Sequence, residues 1–325
     1  VTLFSKNDDQ TFQAVKLWSE LQPDNIDVQQ IYASSLISQK KDKEAIIHLH
    51  KIIELSENFD EGFKRSVAIL EPVEERDRAT HLFKQLSDAH SNKPIVQLYR
   101  AKLELKHGHY SASENYLNQA LRTKPDYLDA LLLKVDLLKK QKRPLQAIQT
   151  LKKILAKLPD NAGLRLELAR MLVENNDYDE AYKHIKVLAE EDLAPEVLFA
   201  ISLLSIEMGK MDDGRKYLER LHTHRLYASE AAYFIGQLEA GRNNFAEAEQ
   251  WFKRVKHGKY TFEAYLGLAV VYSQQKKFDQ AFKLLDHSKA STSKESIDVL
   301  QIKAEVYALA KNYTRAYEIY TEALS

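Results

Sequence analysis

Small side chains return along the chain at a nearly constant interval. They stand at Ala45, Ala79, Ser113, Ala147, Ala181, Gly214, Ala248, Ala281 and Ala316, with gaps of 34, 34, 34, 34, 33, 34, 33 and 35 residues. Twelve residues before each marker lies a second small column: Ala33, Val67, Ala101, Val135, Ala169, Ser202, Gly236, Ala269 and Ala304. Four residues after each marker the side chain is large and apolar or aromatic: Leu49, Phe83, Leu117, Leu151, Ile185, Leu218, Phe252, Leu285 and Tyr320. Three residues before it stand Tyr110, Pro144, Tyr178, Met211, Phe245, Phe278 and Tyr313, with Asp42 and Arg76 the exceptions. Paired small columns let two helices approach closely. Pro23, Pro125 and Pro159 share one place in the period, where a proline ends one helix and lets the next begin. The pattern predicts nineteen helices and no sheet: one helix near residues 3–21, then nine antiparallel pairs from about Ile26 to Leu324.

A period of 34 residues is the length of one helix–turn–helix unit of the tetratricopeptide repeat. Column for column, the chain resembles that family over nearly its whole length. The resemblance implies an all-α, right-handed superhelical solenoid of about nine repeats plus one N-terminal helix. Residues 1–325 then form a single solenoid, with 1–25 the second helix of a truncated repeat and 26–325 the nine repeats. Each unit buries its apolar face only against its neighbours. The second unit, about Asp60 to Asn92, is expected to be the most irregular. Pro72 should end its first helix early, Arg76 replaces the usual aromatic and Val67 enlarges a small column. A local change in pitch or a mobile joint is expected there. The chain opens and closes on second helices without a polar cap, so it reads as a fragment of a longer protein.

Composition narrows the chemistry. Nine glycines and seven prolines are too few for a β sandwich or a dinucleotide-binding core. No run reaches the roughly 18 to 20 apolar residues that a membrane helix needs. The 47 basic and 47 acidic residues cancel, which argues against a nucleic-acid solenoid with its basic stripe. The densest basic run, Lys139, Lys140, Lys142 and Arg143, reads as a solvated helix end, where cations favour the dipole. With no cysteine, disulfides, iron–sulfur clusters and thiol catalysis are excluded. No phosphate loop or nucleophile elbow occurs, so no catalytic residue, cofactor or enzyme activity is expected. Three His-x-His pairs occur, His48/His50, His107/His109 and His222/His224. On a helix, residues two apart face different ways. His222/His224 falls in an inter-repeat link and is the best of the three, but no third ligand is fixed, so no metal is expected.

What remains is surface. The family resemblance implies that the first helix of each unit lines a concave face. Its fifth place holds Gln30, Lys64, Leu98, Leu132, Leu166, Phe199, Tyr233, Leu266 and Gln301. Its ninth holds Ser34, Ala68, Lys102, Asp136, Arg170, Leu203, Gln237, Val270 and Glu305. The middle units are apolar in these columns, and a solvent-facing apolar stripe marks a binding site; packing against neighbouring helices is the other reading. Partner-binding candidates are Phe199, Tyr233 and Leu266 as anchors, Leu166, Leu203 and Val270 around them, and Arg170 and Gln237 for polar direction. The Lys and Asn pairing by which chaperone-binding members clamp a terminal carboxylate is absent from these columns, so a chaperone-tail receptor is disfavoured.

A narrower resemblance lies in Ala232-Tyr233-Phe234-Ile235-Gly236-Gln237-Leu238-Glu239, Trp251-Phe252 with Val255, Gly258-Lys259-Tyr260 and Ala264, and in Pro159-Asp160-Asn161 with 166–172. These stretches resemble envelope lipoproteins of Gram-negative bacteria built of the same repeats. One branch partners a carboxyl-terminal processing protease, activates it and brings it cell-wall hydrolases. The resemblance implies a scaffold or adaptor, periplasmic and anchored to the outer membrane through a lipidated cysteine in a segment before Val1. The alternative is a cytoplasmic interaction module acting as a regulatory or assembly factor.

Overall fold

The computed structural model describes residues 8–190, 193–288 and 290–323. The described residues divide into two compact units, within 1–154 and 155–325. Nineteen α-helices occur, and no strand is found among the described residues. In the first unit these are α1 (Asp8–Leu21), α2 (Ile26–Ser38), α3 (Asp42–Leu55), α4 (Phe59–Leu70), α5 (Arg76–Ser87), α6 (Pro94–Lys106), α7 (Tyr110–Thr123), α8 (Leu128–Lys140) and α9 (Pro144–Leu155). The second unit holds α10 (Ala162–Glu174), α11 (Tyr178–Ala189), α12 (Pro195–Glu207), α13 (Met211–His222), α14 (Ala228–Gly241), α15 (Phe245–Phe252), α16 (Thr261–Gln274), α17 (Phe278–His287), α18 (Ser293–Leu309) and α19 (Tyr313–Ala323). Residues 3–7 of the expected first helix, and Leu324 at the expected end, lie outside the described residues.

The helix starts are set by residues that satisfy free N–H groups. The Asn25 side chain accepts from the Asp27 and Val28 amides, Asn58 from Glu61, and Asn161 from Leu164. Thr292 accepts from the Glu295 amide at 3.1 Å, while the Glu295 carboxylate accepts from the Ser291 amide. Such caps are worth about 1 kcal/mol each. Pro94 and Pro195 stand in the first turn of α6 and α12, where their missing N–H costs nothing.

One backbone device joins the two helices of a repeat. Lys40, Gly108, Lys142, Asn176, Gly209, Asn243, Lys276 and Lys311 all have positive φ, between 57° and 78°. Each lies five residues before a marker of the period. The residue after each donates its N–H five residues back, as Lys41 does to the Leu36 carbonyl at 2.9 Å and Asn244 to Glu239 at 2.8 Å. A left-handed residue with this bond closes the helix C-terminus and turns the chain back on itself.

The second repeat breaks the rule, as the sequence predicts. Its first helix, α4, stops at Leu70, two residues short of the place where α2, α6 and α8 end. Pro72 follows, and Val73 donates to the Leu70 carbonyl at 3.1 Å. Glu74, at the turn place, has no positive φ, and a single turn of 3-10 helix, residues 88–90, follows α5.

The small columns are buried because helices cross over them. The markers Ala45, Ser113, Ala147, Ala181, Gly214, Ala248, Ala281 and Ala316 are buried, whereas Ala79 in the second repeat is half-buried. Gly214 shows why size matters: an added Cβ would lie 2.5 Å from Ile206 Cγ1 and 3.0 Å from the Ser202 carbonyl oxygen. In the second unit Phe252 fills the space that two glycines leave. A Cβ at Gly236 on α14 or at Gly267 on α16 would come within 2.7 Å of its ring. Beside it, the fully buried Glu239 carboxylate accepts from Arg215 Nη1 at 2.7 Å and from Asn244 Nδ2 at 2.6 Å, which ties α13, α14 and the turn before α15 together. Arg215 also bonds Glu247 and holds its carboxyl below the usual range. A buried charge persists only when paired in this way.

Candidate binding surface

The candidate surface belongs to the second unit, on its first helices α10, α12, α14 and α16. Within it α10 packs on α12, and α14 on α16 and on α13. The ring of Phe199 on α12 meets that of Phe234 on α14 at 5.4 Å. A first helix is flanked on both sides by other helices, so only a narrow strip of it meets solvent.

The ninth column is that strip. Arg170 and Gln237 are exposed; Leu203 and Val270 are half-buried. Neither Leu203 nor Val270 belongs to the core cluster or to the apolar side chains packed on it. Elsewhere in the column Ser34, Ala68, Lys102, Asp136 and Glu305 are also exposed. The column therefore points outward whatever residue occupies it, and in two repeats of the second unit that residue is large and apolar.

The fifth column differs from expectation. Leu166, Tyr233 and Leu266 are 9%, 7% and 7% exposed and sit in the core cluster of the second unit. They are core residues rather than open anchors. The reason is angular: residues three and four apart share a helix face, but the neighbouring helix overlaps that face at the fifth place. Tyr233 stacks on Tyr260 at 4.7 Å with ring planes 8° apart, and Gln237 Nε2 donates to its hydroxyl oxygen at 2.5 Å. Burial raises the Tyr233 phenol above its ordinary value. Phe199 is the exception, half-buried against Tyr227 and Phe234. The surface therefore contains Phe199, Leu203 and Val270 with Arg170 and Gln237 around them, and it rests on Leu166, Tyr233 and Leu266.

Sequence reasoning gave no site role to the aromatic residues that support this face. Tyr227, just before α14, donates its hydroxyl to the Glu196 carboxylate of α12 at 2.9 Å. Tyr260 stacks under Tyr233. Tyr227 and Tyr260 stand 33 residues apart, each at the end of its inter-repeat link, a spacing that the repeat could have shown.

One histidine of each pair is engaged by a neighbouring group. His48 Nδ1 lies 2.6 Å from Gln29 Oε1, with its ring edge-on to Tyr32. His109 Nδ1 lies 2.7 Å from a Glu104 oxygen. His222 Nδ1 faces the Ala228 carbonyl at 2.8 Å, and its ring packs on Trp251. Among the described residues no three His, Cys, Asp or Glu side chains converge to hold a metal ion. No helix among them is long and apolar enough to cross a membrane.

Comparison with known proteins gives matches to the tetratricopeptide repeat over residues 104–160, 138–201 and 199–260. The human protein O-mannosyl-transferase TMTC3 is 27% identical over 222 residues, covering 64% of this chain and 24% of that protein. The chain thus spans about a quarter of the length of that relative. A tetratricopeptide repeat protein from Parabacteroides merdae has 16% identity and a TM-score of 0.49, covering 70% of this chain and 90% of its own. PilF of Pseudomonas aeruginosa has 19% identity and a TM-score of 0.43, covering 59% and 88%.

Proposed function

Since the chain is a tetratricopeptide-repeat protein, we propose that it is a non-catalytic scaffold that holds a protein partner on the first helices of its second unit. The observation that carries this reading is the outward ninth column, where Leu203 and Val270 are apolar, half-buried and outside the core. Side chains of this kind gain most when a partner covers them, and large apolar or aromatic groups dominate such interfaces. Phe199 adds an aromatic edge, while Arg170 and Gln237 supply direction.

The proposal extends to a setting and a partner class. The setting is the bacterial envelope, with a lipid anchor in a preceding segment; the partner is a carboxyl-terminal processing protease or a cell-wall hydrolase. The resemblance of residues 232–264 to envelope lipoproteins supports both.

The test is capture from an envelope extract by the wild-type chain and by a Leu203→Glu/Val270→Glu variant, with mass spectrometry of what is held. Far-ultraviolet circular dichroism should be unchanged, because neither residue is core. Protease or hydrolase peptides should be enriched by the wild type and fall at least tenfold with the variant. Equal capture by both proteins would refute the surface. Capture of other partners alone would refute the partner class.

A further inference from the structure

The irregular second repeat opens a pocket in the first unit. It has a volume of 410 Å³, within the range of about 300–1,000 Å³ typical of ligand sites. Its wall is apolar: Val67 and Leu70 at the end of α4, Phe83 on α5, Tyr99 and Leu103 on α6. The pocket exists where the helical ladder fails. α4 ends two residues early and Ala79, elsewhere a buried marker, lines the space half-buried.

The rim is charged in a particular way. Lys102 and Lys106 line it from α6, and residues four apart stand one above the other on a helix face. Both are exposed. Lys102 Nζ lies over the Tyr99 ring, 4.7 Å from its centroid. Glu71 lines the pocket from the loop after α4, yet no ion pair joins it to either lysine among the described residues. Two ammonium groups one turn apart repel each other. An anion placed between them relieves that repulsion and gains charge-assisted hydrogen bonds.

We propose that this pocket binds a protein segment carrying a large apolar side chain next to an Asp or Glu. The apolar side chain enters between Phe83 and Leu103, and the carboxylate rests on Lys102 and Lys106. Glu71 steers the acidic group to the lysine side and disfavours a second acid on the other. The occupant is an acidic–apolar peptide segment because the charge and the cavity must be met together. A purely apolar group leaves the lysines unpaired, and a purely acidic one leaves the cavity unfilled. The site is separate from the surface of the second unit.

The test is a random peptide library displayed on phage and selected on the full chain. Enriched peptides are then made with a fluorescein label and titrated by fluorescence anisotropy. The expected consensus is one large apolar residue beside an acidic one. Their affinity should fall at least tenfold with Lys102→Glu/Lys106→Glu, and also with Val73→Trp, which fills the pocket from its loop. Leu203→Glu/Val270→Glu should leave it unchanged, which separates this site from the scaffold surface. An enriched set without acidic residues, no enrichment, or undiminished binding by the lysine variant would each overturn the proposal.

Discussion

The left-handed turn residues are Lys, Asn or Gly, and the choice has an energetic sign. A side chain with a Cβ in this conformation costs about 1–2 kcal/mol, and Lys142 and Lys276 carry that cost at φ of 57° and 60°. Replacing either by Gly removes the clash and adds unfolded-state entropy. The net expectation is a stabilisation of about 0.5–1 kcal/mol, read as a higher midpoint of urea unfolding; Lys142→Val should lower it. The glycines facing Phe252 have the opposite sign. Gly267→Ala places a methyl 2.7 Å from the ring, and overpacking of this kind costs about 1–3 kcal/mol. Gly267→Ala combined with Phe252→Leu should recover part of that loss in the same measurement. His48 and His50 add a pH dependence. Burial is the largest cause lowering both imidazoles; Lys51 adds to it at His48 and His90 at His50. A lowered folded value means that the unfolded chain takes up protons first, so stability falls as the pH drops through the ordinary imidazole value of about 6.5. Thermal midpoints between pH 7.5 and pH 5.5 should fall less steeply for His48→Gln than for the parent.

At the scale of helices, the period was legible because it is written in small residues that cannot be enlarged, such as Gly214 and Gly236. The early end of α4 was legible too, through Pro72. The angular position of a side chain was not. The fifth and ninth places lie four apart on one helix and look alike in sequence, yet Tyr233 is core and Gln237 is exposed. The difference comes from where the neighbouring first helix crosses, a tertiary fact that no single-chain periodicity holds. The buried Glu239 was equally invisible: Arg242 stands only three residues on, but the hydrogen-bonding partners Arg215 and Asn244 lie on other elements. Arg215→Met would strip the main partner from a carboxylate without solvent access. The expected cost is about 3 kcal/mol, measured by chemical denaturation, with Glu239→Gln recovering part of it in the double variant. Within the first unit, hydrogen exchange should be fastest across residues 59–90, where the turn bonds are missing, and slower in α2, α3, α6 and α7. Equal protection across these elements would show that the missing turn bonds do not loosen the repeat.

For the whole molecule, the repeat is a sum of local closures, each unit burying its apolar side against the next. From the small column to the marker the distance is always 12 residues, and from the left-handed turn residue to the marker always five. All variation in repeat length, 33 to 35 residues, therefore falls after the marker. Second-helix length varies within that stretch as well, 8 residues in α15 and 10 in α17 against 14 in α3 and α7, and the links take up the difference. Outside the second repeat, each period has a hairpin of fixed length and a link of variable length, and tolerance to insertion should alternate accordingly. An extra residue between Lys256 and His257, in the link before α16, should leave the helical signal and melting midpoint nearly unchanged. The same residue between Lys142 and Arg143 breaks the turn bond and shifts α9 by a quarter turn or more against α8, so the protein should lose cooperative melting. An ancestral chain of this design could lengthen or shorten by single residues only at its links. That makes the links the natural place for lineages to diverge in pitch while the hairpins stay fixed.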